Sequence, residues 1–147
     1  PQRTSISVGP NGLLYVIAGF NQFQALRADT GAQVWSVAAN SNNSGQVIGP
    51  DGTVYTSSIN PNALVAYNPA NGQVLRSKSV TGNIGLHAMT NSTLDVEANG
   101  GVTAYDVATF AAKWTIATNG FIGGAVALAG DGTVVFPSSD FYVYAVR

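Results

Sequence analysis

The residues of this chain best suited to chemistry are two carboxylates and one histidine. Asp95 and Glu97 alternate in the run Leu94-Asp95-Val96-Glu97, so on an extended strand both side chains point to one face. Carboxylates placed in this way have two chemical uses. They supply hard oxygen ligands to a cation such as calcium, or they act as the acid/base pair that hydrolyses a glycosidic bond. The competing expectation is a solvated or interface face in a degenerate blade, where the pair is tolerated because that side is wet. His87 is the one histidine and cysteine is absent, so no zinc ligand set can be assembled around it. It is expected either as a hydrogen-bonded structural side chain or as a ligand contact near the start of a strand. No glycine-rich phosphate loop precedes a helix, and Asn99-Gly100-Gly101 reads as a hairpin turn.

Charge narrows the partners. Six Lys/Arg and seven Asp/Glu in 147 residues leave a net charge of -1, and the basic residues Arg3, Arg27, Arg76, Lys78, Lys113 and Arg147 are scattered. Nucleic acid and anionic membrane surfaces therefore lack the clustered cations that would hold them. With 46% hydrophobic residues the chain can build one core without disulfides. The longest uncharged stretch, residues 52–75, is broken by Ser57, Ser58, Asn60, Pro61, Asn62, Asn68 and Pro69, so no membrane span is expected. Few charges with abundant Asn, Ser, Thr and Gly point to an extracellular or periplasmic protein. A start at Pro1-Gln2-Arg3 suggests a processed protein or a piece of a longer one.

The elements that must position these residues are read from an internal repeat. Gly9-Pro10-Asn11-Gly12-Leu13-Leu14-Tyr15, Gly49-Pro50-Asp51-Gly52-Thr53-Val54-Tyr55 and Gly130-Asp131-Gly132-Thr133-Val134-Val135 fall in register, with Gly12, Gly52 and Gly132 separated by 40 and then 80 residues. The missing copy lies at Asn91-Ser92-Thr93-Leu94-Asp95-Val96, with Ser in place of Gly. Ala25, Ala66, Ala104 and Ala145 mark a second landmark with nearly the same rhythm. Asn-Gly and Asp-Gly between apolar runs favour the left-handed conformations of tight hairpins. Each repeat is thus expected to form one four-stranded antiparallel sheet. In the first repeat the strands are Ser5-Ile6-Ser7-Val8, Leu13 to Ala18, Phe23 to Arg27 and Gln33 to Val37. Repeats of about 40 residues with four strands each predict a β-propeller, all-β and without helices. The blades are expected over about residues 4–40, 45–80, 84–118 and 123–147. The last supplies only three strands, Gly123 to Leu128, Gly132 to Phe136 and Phe141 to Val146, which would leave residues 142–146 as an open edge.

The blade ends carry a more specific signature. Ala25-Leu26-Arg27-Ala28-Asp29-Thr30-Gly31-Ala32-Gln33-Val34-Trp35 resembles the tryptophan-docking motif of pyrroloquinoline-quinone-type (PQQ-like) propeller repeats. Ala66 to Arg76 keeps Ala and Gly but has Arg76 where Trp belongs, and the third copy keeps Ala104, Thr109 and Trp114 but has Phe110 in place of Gly. The resemblance spans the chain as four tandem repeats. It implies that Trp35, Gly31 and Trp114 dock blade on blade, whereas exposed tryptophans alone would also suit stacking on a sugar or cofactor. Such propellers have seven or eight blades, so four repeats imply half of a larger ring, completed by a second copy in a homodimer or by the remainder of a longer chain. A PQQ-dependent dehydrogenase would carry an adjacent cysteine pair, acidic and amide ligands for calcium and an Asp base. Without cysteine, PQQ and calcium belong only to an alternative reading, and no cofactor is expected.

A binding module is the leading functional expectation. The loops after the second strands, Gly19-Phe20-Asn21-Gln22, Ser58-Ile59-Asn60-Pro61-Asn62 and Ser138-Ser139-Asp140, and the connection Asn40-Ser41-Asn42-Asn43-Ser44 are rich in amides and hydroxyls. They converge at one end of a propeller, so Phe20, Asn21, Asn60, Asn62 and Asp140, with His87 near the axis, are the expected contacts to a protein or carbohydrate ligand. Two further readings stand beside it: a fragment of a quinoprotein dehydrogenase, and a structural, self-assembling repeat unit.

Overall fold

The fold is taken from a computed structural model, and the description covers residues 6–18, 21–39, 45–82, 84–98, 100–122 and 126–147. Every regular element among these residues is a β-strand. The first sheet is β1 (Ile6–Val8), β2 (Leu13–Ala18), β3 (Gln22–Arg27) and β4 (Gln33–Ala38); the second is β5 (Gln46–Ile48), β6 (Val54–Ser58), β7 (Ala63–Tyr67) and β8 (Val74–Ser79). The third is β9 (Ile84–Met89), β10 (Thr93–Ala98), β11 (Gly101–Asp106) and β12 (Ala112–Ala117), and the last is β13 (Ala127–Leu128), β14 (Val134–Pro137) and β15 (Val143–Val146). Strands are ordered in each sheet as in the chain, and all pair antiparallel. These are propeller blades, three with four strands and one with three.

The turns show why the repeat landmark recurs. Gly12, Gly52 and Gly132 have φ of +74°, +83° and +88°, the left-handed region that glycine enters without a Cβ clash. Their N–H groups close the turn onto the carbonyls of Gly9, Gly49 and Ala129, while Asn11, Asp51 and Asp131 accept from the N–H two residues on. Where Ser92 replaces the glycine, Thr90 takes over, its Oγ1 accepting from the N–H of Ser92 at 3.2 Å and of Thr93 at 2.9 Å.

The chain forms two compact units, residues 1–80 and 81–147. In the first, one face of the β1–β4 sheet, carrying Tyr15, Ile17, Phe23, Ala25 and Trp35, packs on Val54, Ala63, Val65 and Tyr67 of the next sheet. Phe23 meets Trp35 and Tyr67 edge to face at 5.3 and 5.0 Å between centroids. The Trp35 indole donates from Nε1 to the Pro69 carbonyl at 2.9 Å. It lies so close to Gly72 that a Cβ there would come within 2.7 Å of its Cε3. The sequence places Gly31 in this docking role, but nothing lies within 4 Å of where its Cβ would be. Its φ of +71° shapes its own turn, and the glycine beneath the indole is the one in the following repeat.

In the second unit Val102, Ile122, Val134 and Phe136 form one core cluster, with partly buried Trp114, Ile116, Val126, Tyr144 and Val146 packed on it. Phe110, at the glycine position of the motif, adopts φ of +57° and is buried. The last sheet differs from the reading of the sequence at its final strand. Residues 123–125 of the expected first strand lie outside the described residues, and Ala127–Leu128 form β13. Phe141 and Tyr142 belong to a turn and not to β15, because Phe141 takes φ of +71°, so the apolar run that suggested a strand of six is interrupted by a left-handed backbone.

Candidate binding surface

In each hairpin the connection after the second strand lies at the end opposite the glycine turns. Phe20 and the connection 40–44 lie outside the described residues. Asn21 is exposed, and its carbonyl accepts from the Ala39 N–H at 3.0 Å. The Asn62 carbonyl does the same for Val80 at 3.0 Å. Asn60 is exposed with φ of +52°, a conformation asparagine tolerates better than most residues, and the Ser58 hydroxyl donates to the Pro61 carbonyl at 2.9 Å. Asp140 is the organiser of its own loop. Desolvation pushes its carboxyl up, but hydrogen bonds from Tyr144, Ser138, Tyr142 and Asn119 outweigh this and hold it below the ordinary carboxylate range.

Within residues 1–80 the β6–β7 turn opens onto a cleft of about 210 Å³. Its apolar wall is Ala39, Val65 and Tyr67, and Ser58, Asn60 and Ser77 supply polar groups. The Tyr67 phenol is pushed up by burial, so it is neutral at ordinary pH. Of these residues only Asn60 and Ser58 stood out in the sequence. Val65 and Tyr67 read as strand residues and Ala39 lay beyond the expected strand Gln33 to Val37, because alternation alone does not say where a sheet face runs out into a cleft.

The carboxylate pair sits in residues 81–147 and is not one unit. Asp95 pairs with Ala104 and Glu97 with Val102, and these in turn pair with Trp114 and Ile116, so the carboxylates share the face that packs on the last sheet. On the other side, Asp95 and Val96 pair with Ala88 and Leu86, skipping His87. His87 is thus the extra residue of a β-bulge, a device that re-aims a side chain. Its Nε2 lies 3.1 Å from Glu97 Oε2, over Gly85, where a Cβ would stand 3.1 Å from that nitrogen. Asp95 is 0% exposed and neither carboxylate oxygen has a hydrogen-bond partner. Desolvation pushes its carboxyl up to about 6, offset in part by His87. A wet face is therefore ruled out for Asp95, because the last sheet covers what an isolated strand would expose.

Among the described residues no three His, Cys, Asp or Glu side chains converge as metal ligands. The chain has no cysteine, and its buried carboxylate, Asp95, is turned to a neighbouring sheet. No helix among the described residues is long and apolar enough to cross a membrane.

Comparison with known proteins follows the same lines. The family model described as outer membrane protein assembly factor BamB matches residues 2–94 and 24–147. Among solved structures, BamB from Moraxella catarrhalis superposes with a TM-score of 0.77 at 19% identity, over 96% of this chain and 48% of that one. The WD40 β-propeller domain of Doa1 gives 0.73 at 12% identity, over 97% and 49%. The chain spans about half the length of these structures. No curated protein matches it.

Proposed function

The chain belongs to the family of the outer membrane protein assembly factor BamB, and on that premise we propose that it is a non-catalytic propeller segment that binds protein. The observation that carries this reading is the cleft at the β6–β7 turn. At about 210 Å³ it is smaller than the usual small-molecule or cofactor pocket and accepts an apolar side chain or two of a docked polypeptide. Ala39, Val65 and Tyr67 receive the side chain, and Ser58, Asn60 and Ser77 hydrogen-bond the chain that carries it. A carbohydrate is the second ligand class, favoured only by the same polar rim. The composition and the family together support a periplasmic or extracellular setting. Because the chain spans half the length of the propellers it matches, we take its ring to be completed by a second copy or by further repeats.

A peptide and glycan array tests the reading. Ala38→Trp places an indole over the cleft from an exposed rim position and leaves the core intact. Peptide binding that this variant abolishes at unchanged melting temperature is the expected result. Binding to glycans alone, or peptide binding indifferent to Ala38→Trp, would refute it.

A further inference from the structure

Asparagine is a chemically labile residue, and it is most exposed to attack when glycine follows, because no side chain then shields the next backbone nitrogen. The Asx-Gly pairs among the described residues are Asn11-Gly12, Asp51-Gly52, Asn71-Gly72, Asn119-Gly120 and Asp131-Gly132. All but one are hairpin turns in which both reacting groups are occupied. The glycine N–H donates to a carbonyl, Gly12 to Gly9 at 3.1 Å, Gly52 to Gly49 at 2.9 Å, Gly72 to Asn68 at 2.9 Å and Gly132 to Ala129 at 3.0 Å. The Asx side-chain oxygens of Asn11, Asp51, Asn71 and Asp131 accept from the N–H two residues on, the usual Asx turn. Asn119-Gly120 is built differently. Asn119 is exposed, and among the described residues neither its side-chain amide nor the Gly120 N–H has a hydrogen-bond partner. Gly120 also has no room for a shielding side chain, since a Cβ there would stand 2.6 Å from the Asp140 nitrogen and 3.0 Å from the Ser139 carbonyl carbon.

We propose that Asn119 is a site of spontaneous deamidation, and that its conversion is a one-way release of the connection 119–122 from the turn at 138–142. The Gly120 nitrogen gives its proton to a base in the solvent and bonds to Asn119 Cγ. The Cγ–Nδ2 bond breaks, ammonia leaves and a succinimide ring remains. Water then opens the ring at one of its two carbonyls. Opening at Cγ leaves Asp, and opening at the main-chain carbonyl leaves isoaspartate, whose backbone runs through the former side chain. One water is consumed and one ammonia released, with no oxidant or reductant. The connection is held by Asn119 N donating to Asp140 Oδ2 at 3.0 Å, Phe121 N to Ser139 Oγ at 3.0 Å and Ser139 N to the Phe121 carbonyl at 2.9 Å. Either product sets a second carboxylate beside Asp140, and like charges repel. Residues 99–101, 118–122 and 137–144 contain no Lys, Arg or His to neutralise it, and their titratable side chains are Asp140, Tyr142 and Tyr144. Isoaspartate further lengthens the backbone by a methylene where Gly120 is already wedged against Ser139 and Asp140. None of these residues lines the cleft in residues 1–80, so the two sites stand or fall separately.

Incubating the whole chain in mildly alkaline buffer made with heavy-oxygen water, with peptide mapping by mass spectrometry, tests the site. Asn119 should take up one labelled oxygen about tenfold faster or more than Asn11 and Asn71, which must first give up hydrogen bonds worth about that factor. Conversion of Asn119 no faster than that of Asn11 or Asn71 would overturn the assignment. Two variants test the release. Asn119→Gln must close a larger ring, so it resists conversion and keeps the wild-type melting temperature. Asn119→Asp carries the product's charge and should melt lower than Asn119→Gln at neutral pH, the gap closing as acid protonates the facing carboxylates. Equal melting temperatures of the two variants at neutral pH would overturn the release.

Discussion

Removing the charge of Asp95 should make the protein more stable at neutral pH and erase a pH dependence that the wild type shows. The carboxyl is 0% exposed without a hydrogen-bond partner, and it is raised from 3.8 to about 6. A raised carboxyl binds its proton more tightly in the folded chain than in the unfolded one. Its contribution is fully present below the unfolded value near 3.8 and is lost as pH rises through about 6, because the unfolded state ionises first. The rise from 3.8 to about 6 corresponds to about 3 kcal/mol, a large share of the ~5–15 kcal/mol that holds a domain folded. His87 and Glu97 are the ionisable neighbours on β9 and β10. The residues of β11 and β14 in the adjoining core, Val102, Val134 and Phe136, carry no charge. Asp95→Asn keeps the shape and cannot ionise. Urea unfolding of both proteins at intervals between pH 4 and pH 8 should give a variant-minus-wild-type difference that grows by about 3 kcal/mol across the range, most of it between pH 4 and 6.5. Parallel curves for the two proteins would refute the reasoning and show that Asp95 finds water or a donor.

Trp35→Ala removes an indole with buried aromatic neighbours and one hydrogen bond to the Pro69 carbonyl. It should cost about 4 kcal/mol in denaturant unfolding while peptides still bind the folded fraction; a loss under 1 kcal/mol would mean that the indole is not the main contact between the first two sheets. Calcium should leave the protein unmoved, since Asp95 is enclosed and Glu97 is engaged by His87. Melting curves in EDTA and in millimolar calcium should therefore superimpose, whereas a rise of several degrees would restore the pair as an ion site.

The sheets were legible because their turns obey local chemistry. Gly12, Gly52 and Gly132 announce left-handed hairpins, and alternation between them sets the faces, so the blades follow from residues close in sequence. The candidate site was less legible for the same reason in reverse. Asp95 and Glu97 alternate as a strand requires, yet the bulge at His87 and the cover of the last sheet give them different fates. Neither feature has a signature in ten neighbouring residues. Phe141 deceived because Phe-Tyr-Val-Tyr reads as strand by composition, while Asp140 fixes a turn through partners at Asn119 and Tyr144 that are remote or indistinct in sequence. Gly72, the glycine beneath Trp35, did not stand out, since a motif shows which residue types meet but not in which copy.

That offset between copies has a consequence for the order in which the chain takes shape. Every strand pairs only with its neighbours in sequence, so the first sheet needs nothing beyond residue 38 to hydrogen-bond. Such local pairing closes short loops and is fast. Trp35, however, has no seat until Pro69 and Gly72 have been made and the β7–β8 turn has formed. On a ribosome the first sheet would wait, with its large apolar face in water, for the second to emerge. The interval in which this chain is most open to chaperones and to aggregation is therefore set by the synthesis of one repeat.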